Sequence, residues 1–555
     1  MKSDVLLRAA ITITLTPLSF ALDPIVDLGY STYRGLDVGD GTTQWLGMRY
    51  AAPPLGELRF AAPQDPLPTE GVLDATKFGN ICLAKNPEDW SMKPNPRFTP
   101  GEDCLFLNVF APSGAQEGGK LPVMFFIQGG GFGSNSNANY NASDLAREGN
   151  MVVVSINYRV GPYGFLQAKE VMEEGSLNNG IQDQIKALEW VRDYIEKFGG
   201  DPDHVVLDGD SAGATSIVLL LTSPKMKGAG LFVGAIAESA SEPTLRTLSE
   251  GQEQYNCLLN ATGCSPTSNH TSSLACLRSL NATKLQTTSC WFNPHLDDDL
   301  IPQTTMEAFE KGDYLKVPTI FGSTVDEGTK NAPQTVATLG DYHAFLLNQC
   351  SSLSNQSLQV LDQMYVLNQS GPEFPNSGKL WRQASNAIGD FRAHCVDNFY
   401  QSLIAKDGGR TWTYRYGVKD PGLEAQGFGA YHTIELYAVW GPNNTDGNPP
   451  KSYLPGKTNE GIVSLVRAYW ASFVRHLDPN VGRAEGAPRW EDRGLEGERM
   501  FIGGGNATRM ERIDSGEEGR CGVLEPMLRG LERGCPAGVE VEMEFHVRGS
   551  ARARC

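Results

Sequence analysis

Val123-Met124-Phe125-Phe126-Ile127 runs directly into Gln128-Gly129-Gly130-Gly131-Phe132, and further on His204-Val205-Val206-Leu207-Asp208 runs into Gly209-Asp210-Ser211-Ala212-Gly213. Short apolar runs bounded by glycine are the pattern of strands buried on both faces of a parallel sheet. Between the two blocks, Val152 to Tyr158 is another such run. Ile181, Ile185, Leu188, Val191, Ile195 and Phe198 then recur at three- and four-residue steps until Gly199-Gly200 stops them, which predicts an amphipathic helix. After the second block, Ala212 to Thr222 reads as a further helix. Strand, helix, strand, sharp turn, helix is the grammar of a doubly wound α/β sheet.

The sharp turn carries the chemistry. Gly209 to Gly213 is a G-x-S-x-G pentapeptide, which a chain with 61 glycines produces by chance roughly 0.4 times. Its place between a predicted strand and a predicted helix gives it meaning, because small flanking residues let a strained elbow thrust Ser211 out above the sheet with the Ala212 N–H beside it. A serine hydroxyl needs a base, an orienting acid and donors for a developing oxyanion. The run Gln128 to Phe132 supplies candidate donors, since consecutive glycines expose backbone N–H groups without Cβ obstruction. Of the eight histidines, His432 sits in Gly429-Ala430-Tyr431-His432, after the β-rich run Trp412 to Tyr416 and before the apolar Ile434 to Trp440. Its rival His476 lies in a helical-looking run. The acid should fall between Ser211 and His432; Asp326-Glu327-Gly328 follows the apolar strand Thr319 to Phe321, and pattern alone does not separate Asp326 from Glu327.

Outside these blocks the 555 residues look like one large domain with elaborations, without internal repeats; Lys85 to Gly101 and Gly441 to Pro455 read as loop insertions. The formal charge of -18 repels phosphate backbones and anionic lipid surfaces, so nucleic acid is not an expected partner. Lys2, Arg8, the apolar run Ala9 to Leu18 and Ser19-Phe20-Ala21 form a secretory leader at residues 1–21, with a mature chain starting near Leu22. No later window is a membrane span, so no stable membrane anchor is expected. Secretion makes disulfides the expected state of the eleven cysteines, with Cys555 the candidate free thiol. Cys82 and Cys104, and Cys264 and Cys276, each bracket a loop short enough to bridge; Cys257, Cys290, Cys350, Cys395, Cys521 and Cys535 have no pairing legible in sequence. No local cluster of ligand residues suggests a metal. Glycosylation sequons stand at Asn141, Asn260, Asn269, Asn281, Asn355, Asn368, Asn443 and Asn506.

From about Tyr33 to Cys521 the chain resembles the type B carboxylesterase and lipase family, which includes the cholinesterases, and within it the fungal members. The resemblance rests on Glu102-Asp103-Cys104-Leu105-Phe106-Leu107-Asn108-Val109, Asn157-Tyr158-Arg159, Gly180-Ile181-Gln182-Asp183-Gln184, Phe198-Gly199-Gly200-Asp201-Pro202 and Gly209 to Ala214, in the family's order. It implies an α/β-hydrolase fold, a large, mostly parallel central sheet with helices on both faces and long insertions, over residues 22–521. It implies a cofactor-independent secreted ester hydrolase working on a small-molecule or lipid ester, with the triad Ser211, Glu327 and His432, and an oxyanion hole of the Gly130, Gly131 and Ala212 N–H groups. It also implies disulfides Cys82 to Cys104 and Cys264 to Cys276, and ion pairs Arg59 with Glu102 and Arg159 with Asp183.

Departures from the family's pattern are Gln128, where many relatives carry His, and Asp210, where Glu is more frequent. Two other readings share the fold: an interfacial lipase, and a non-catalytic adhesion or binding protein. Pro87, Pro94, Pro96 and Pro100 disfavour a continuous lid helix in the loop Leu83 to Asp103, and Trp90 in that loop is a candidate pocket aromatic. The resemblance ends at Cys521. Residues 522–555 form a tail with no assignment, and since no candidate site residue lies in it, its loss should leave hydrolysis intact.

Overall fold

The computed structural model describes residues 23–532 apart from 135–139, 266–271, 288, 351–352, 368–371 and 446, together with 542–545 and 551–554. The leader at 1–21, the sequons at Asn269 and Asn368, and Cys535 and Cys555 lie outside the described residues.

An eleven-stranded sheet forms the centre of the molecule. Its strands in chain order are β1 (Leu36–Asp37), β2 (Thr42–Arg49), β3 (Phe106–Pro112), β4 (Leu121–Ile127), β5 (Val152–Ile156), β6 (Gly200–Asp210), β7 (Gly234–Glu238), β8 (Thr319–Thr324), β9 (Thr411–Tyr416), β10 (Glu498–Ile502) and β11 (Arg509–Arg512). In space they run β11-β10-β9-β8-β7-β6-β4-β5-β3-β2-β1. The strands from β10 to β5 are parallel, and the edges are closed by antiparallel β11 on one side and by β3, β2 and β1 on the other. This is the α/β-hydrolase architecture the sequence points to.

Alternation along each strand feeds two cores. Val123, Phe125, Ile127, Val205 and Leu207 face one side with Ile181, Leu188, Val191 and Ile217. Met124, Phe126, Val153 and Val206 face the other with Val466, Trp470 and Phe473. Helices α1 (Asn179–Tyr194) and α2 (Ala212–Thr222) therefore cover one face and α3 (Gly461–His476) the other. The predicted helical period past Tyr194 tightens into a 3-10 turn, Ile195–Phe198, and ends at left-handed Gly199. Among the described residues no helix is long and apolar enough to cross a membrane.

Disulfides Cys82–Cys104 and Cys264–Cys276 form as the resemblance implies, joined by Cys257–Cys290 and Cys395–Cys521. Among the described residues the free cysteine is Cys350, which is buried. Both implied ion pairs are present: Arg59 Nη2 donates to Glu102 Oε2 at 2.7 Å, and Arg159 grips Asp183 through Nε at 2.8 Å and Nη2 at 2.7 Å. The second pair ties the exit of β5 to α1.

The unassigned tail needs correction. A helix, α4 (Ser515–Glu532), runs straight through the border drawn at Cys521. Beyond that border Leu524, Met527, Leu528 and Leu531 are buried in the larger core, and Arg529 pairs with Glu310 at 2.6 Å. Four such side chains at roughly 1.5–3 kcal/mol each approach the whole stability of an ordinary domain, about 5–15 kcal/mol. Truncation after Cys521 should therefore abolish cooperative unfolding, and Leu528→Ala should cost about 2–5 kcal/mol in a denaturant titration. A truncated chain with the full-length midpoint would show that this packing contributes nothing.

Candidate active site

Ser211, Glu327 and the Gly130-Gly131 run follow the carboxyl ends of parallel strands β6, β8 and β4, where open α/β sheets place their sites, and His432 comes from a loop after β9. The register pairs Gly209 with Ile127, so the ends of β6 and β4 lie side by side. The chain then turns so sharply from β6 into α2 that a Cβ on Gly213 would lie 1.9 Å from the Ile127 carbonyl oxygen. No residue but glycine fits there. Ser211 takes up the strain, with φ 54° and ψ -119°, and its N–H is held by the Glu238 carbonyl at 2.8 Å.

His432 lies between Ser211 and Glu327. Its Nε2 lies 2.9 Å from Ser211 Oγ and its Nδ1 2.5 Å from Glu327 Oε2. A carboxylate only accepts, so the proton between them belongs to Nδ1 and Nε2 is left as the acceptor for the serine hydroxyl. The other oxygen of Glu327 accepts from Ser239 Oγ at 2.6 Å and the Thr324 N–H at 2.7 Å. Burial opposes a charge on Glu327, but His432, Ser239 and, further back, His394 outweigh it and bring its pKa down to about 2. Burial likewise opposes the imidazolium of His432, yet Glu327, with Glu435 and Asp210 behind it, holds its pKa above the ordinary histidine value.

Asp326 has a different place. It pairs with Arg382, and its Oδ2 accepts from the Ala430 N–H at 2.8 Å. At left-handed Gly429, φ 58°, a Cβ would collide with the same carboxylate. Asp326 thus clamps the loop that carries His432, while its neighbour reaches the imidazole. His476 is exposed at the end of α3. It interacts with His204, which lies toward the start of the strand whose far end carries Ser211.

Gly130 and Gly131 line a cavity of about 270 Å³ together with Ser211 and His432. Among the described residues neither glycine N–H donates to a protein acceptor, and Ala212 opens α2, where the first N–H groups have no intrahelical partner. The loop is pinned by Asp210, whose Oδ1 accepts from the Gly129 N–H at 2.9 Å; burial pushes the Asp210 pKa up to about 6 against that hydrogen bond. Gln128 is buried, and its carbonyl accepts from the Tyr158 hydroxyl at 3.0 Å. Trp90 is 42% exposed in a single 3-10 turn, Trp90–Met92.

Three contributors escape the sequence reading. Ser239 follows β7, a strand whose apolar residues Ala235 to Ala237 are short and unremarked by any motif. His394 and Arg392 lie in a π-helical turn, Asp390–His394, and such turns gather at functional sites. His394 faces acceptors from both nitrogens, Asp390 Oδ1 at 2.9 Å and the Thr324 carbonyl at 2.7 Å, so both must donate. Burial works against that cation, but Asp390 raises its pKa to about 9. Asp390 in turn accepts from Arg520 of α4 at 2.8 Å, and a polar cavity behind Glu327 is lined by His394, Asp397, Arg499 and Glu517.

The chain's relatives agree with this architecture. The carboxylesterase family profile matches residues 23–517. Lipase 1 of Geotrichum candidum is 31% identical over 508 residues, covering 79% of this chain and 84% of that protein. Para-nitrobenzyl esterase of Bacillus subtilis is 39% identical over 317 residues, 55% of this chain and 63% of its own length. The crystal structure of Aspergillus niger EstA, 37% identical, superposes with a TM-score of 0.85 over 92% of this chain and 99% of that one. The chain belongs to the carboxylesterase family and is a carboxylic ester hydrolase.

Proposed function

We propose that the reaction proceeds through an acyl-enzyme on Ser211, with His432 as the base and Glu327 as its orienting acid. The observation that carries this reading is the unbroken path from Ser211 Oγ through both nitrogens of His432 to a fully hydrogen-bonded Glu327. Ser211 attacks the ester carbonyl while Nε2 takes its proton, and the imidazolium is stabilised by Glu327 until it protonates the leaving alcohol. The Gly130, Gly131 and Ala212 N–H groups receive the oxyanion, each donor contributing roughly 10²–10³-fold to kcat. Water then repeats the sequence on the acyl-enzyme. A cavity of about 270 Å³ favours a short acyl group over a long one. Four disulfides fit export of the chain after removal of residues 1–21. The exposed Asn260, Asn281, Asn355, Asn443 and Asn506 are the asparagines offered for glycans, whereas half-buried Asn141 engages the Ser143 N–H.

An uncharged organophosphonate reacts covalently only with a serine already activated by its base. One adduct per molecule is expected, on the peptide that contains Ser211, absent in Ser211→Ala and strongly slowed in His432→Ala. Labelling that persists in Ser211→Ala would remove Ser211 from the mechanism.

The base must be neutral to work. Since His432 is held above about 6.5, kcat/KM should climb with pH through an apparent pKa above that value and fall away on the acid side. A profile flat from pH 5 to 8 would exclude His432.

Glu327→Gln removes the foremost group that raises the imidazole pKa. It should lower kcat by about 10⁴-fold, as neutralised triad carboxylates do, and move the apparent pKa down. Asp326→Asn should instead loosen the His432 loop; a pKa shift seen with Asp326→Asn and not with Glu327→Gln would reverse the two roles.

A further inference from the structure

Arg392 lines the cavity in front of Ser211, with Gly131, Asn331 and Ala393 around it. Its Nε is buried without an acceptor, and among the described residues no hydrogen bond or ion pair engages the guanidinium. A partly buried cation with no partner is costly to keep, so the neighbouring charges decide what it is for. Asp390, on the same turn, is already shared by His394, Arg520 and the Tyr365 hydroxyl. Glu327 is committed to His432, and Asp210 holds the Gly129 N–H. Cys350, which senses the Arg392 charge, is a thiol pushed up to about 12 by burial and so is no counterion. The two acids that line this cavity with Arg392, Glu327 and Asp210, and Asp390 on its own turn are thus all used elsewhere.

We propose that Arg392 receives an anionic group of the substrate, and that the preferred substrates are short esters bearing a free carboxylate, such as half-esters of small dicarboxylic acids. This rests on the Ser211 reading above. The carboxylate end of the acyl group pairs with the guanidinium while the ester carbonyl sits against Ser211. The Ser211 Oγ–C bond forms, the C–O bond to the alcohol breaks, and the serine proton leaves on that alcohol through His432; water then releases the free diacid by the same route. The guanidinium fork matches a carboxylate bidentately, which also fixes the distance between anion and scissile carbonyl. The net charge of -18 repels such substrates at long range, so the selectivity belongs to the short-range contact. Salt screens the former far more than the latter.

The test compares monoethyl succinate with ethyl succinamate, its neutral isostere, in the full-length protein. Wild type should favour the half-ester roughly ten- to hundredfold in kcat/KM, the range of a charge-assisted hydrogen bond, and the preference should persist in 0.5 M salt, on the order of a 4–5 Å Debye length. Arg392→Gln should lower kcat/KM for the half-ester at least tenfold more than for the isostere, chiefly through KM, and Arg392→Lys should restore part of the difference. Succinate should inhibit wild type more strongly than butyramide does. Equal use of both esters by wild type, or equal loss on both in Arg392→Gln, overturns the assignment; should that variant not fold, the wild-type ratio and Arg392→Lys decide it. Hydrolysis of ethyl succinamate and 4-nitrophenyl acetate without a half-ester preference defeats the Arg392 proposal alone. Failure to hydrolyse any of the three esters defeats the Ser211 reading with it.

Discussion

The close approach of helix α2 to the end of strand β4 is the constraint on which the rest of the site depends. With Gly213 pressed against the Ile127 carbonyl, the chain leaves β6 in a turn so tight that Ser211 is forced into a left-handed conformation. The same contact brings the glycine run after Ile127 over the serine. Asp210, the residue just before Ser211, then fastens that run through the Gly129 N–H. Ser211 and the glycine run are therefore positioned by one piece of backbone geometry, and neither can drift without the other. Strain of this kind persists only where the surroundings over-determine it, and the parallel strands on either side supply that rigidity.

Electrostatics sorts the carboxyl groups that crowd beneath this turn. Burial pushes Asp208 up to about 8 and raises Glu238 and Glu435 well above the ordinary range, because their few donors do not repay desolvation. Glu327 is buried as deeply but has two donors on one oxygen and an imidazole on the other, and it alone of these four is driven down. Charge thus settles where hydrogen-bond donors are most numerous. Adjacent Asp326 takes another place because its donors are Arg382, on the helix Trp381–Gly389, and the Ala430 N–H of the loop that carries His432, and not the imidazole.

Much of this was legible in the sequence, and the parts that were not share a cause. The strands around β4, β5 and β6, helices α1 and α2, Ser211 and the His432 loop announce themselves through short apolar runs, glycine punctuation and a helical period. Asp326 and Glu327 could not be separated by pattern, because the choice turns on which carboxylate the short turn after β8 aims at a loop about a hundred residues away. Helix α4 was hidden by Gly516, Gly519, Gly522, Gly530 and Pro526, which lower intrinsic helicity. It forms because the Cys395–Cys521 bond, the Arg520–Asp390 pair and four apolar side chains hold it from outside. Arg392 and His394 sat in a segment with no motif, since a π-helical turn has no sequence period to read.

That turn shows how a distant part of the chain reaches the reaction. Asp390 and His394 face the back of Glu327, and Arg392 and Ala393 face the cavity in front of Ser211. Both pairs hang on one five-residue stretch, whose next residue is Cys395. Because Cys395 is bonded to Cys521 and Asp390 is held by Arg520, the position of α4 sets the turn, and the turn sets both His394 behind Glu327 and Arg392 in front of Ser211. The two charges cannot be adjusted independently: a shift of α4 that brought His394 nearer Glu327 would also move Arg392 along the wall of the cavity. The carboxyl-terminal helix, which contributes no group to the chemistry, is in this sense the base on which the electrostatics of the site is mounted.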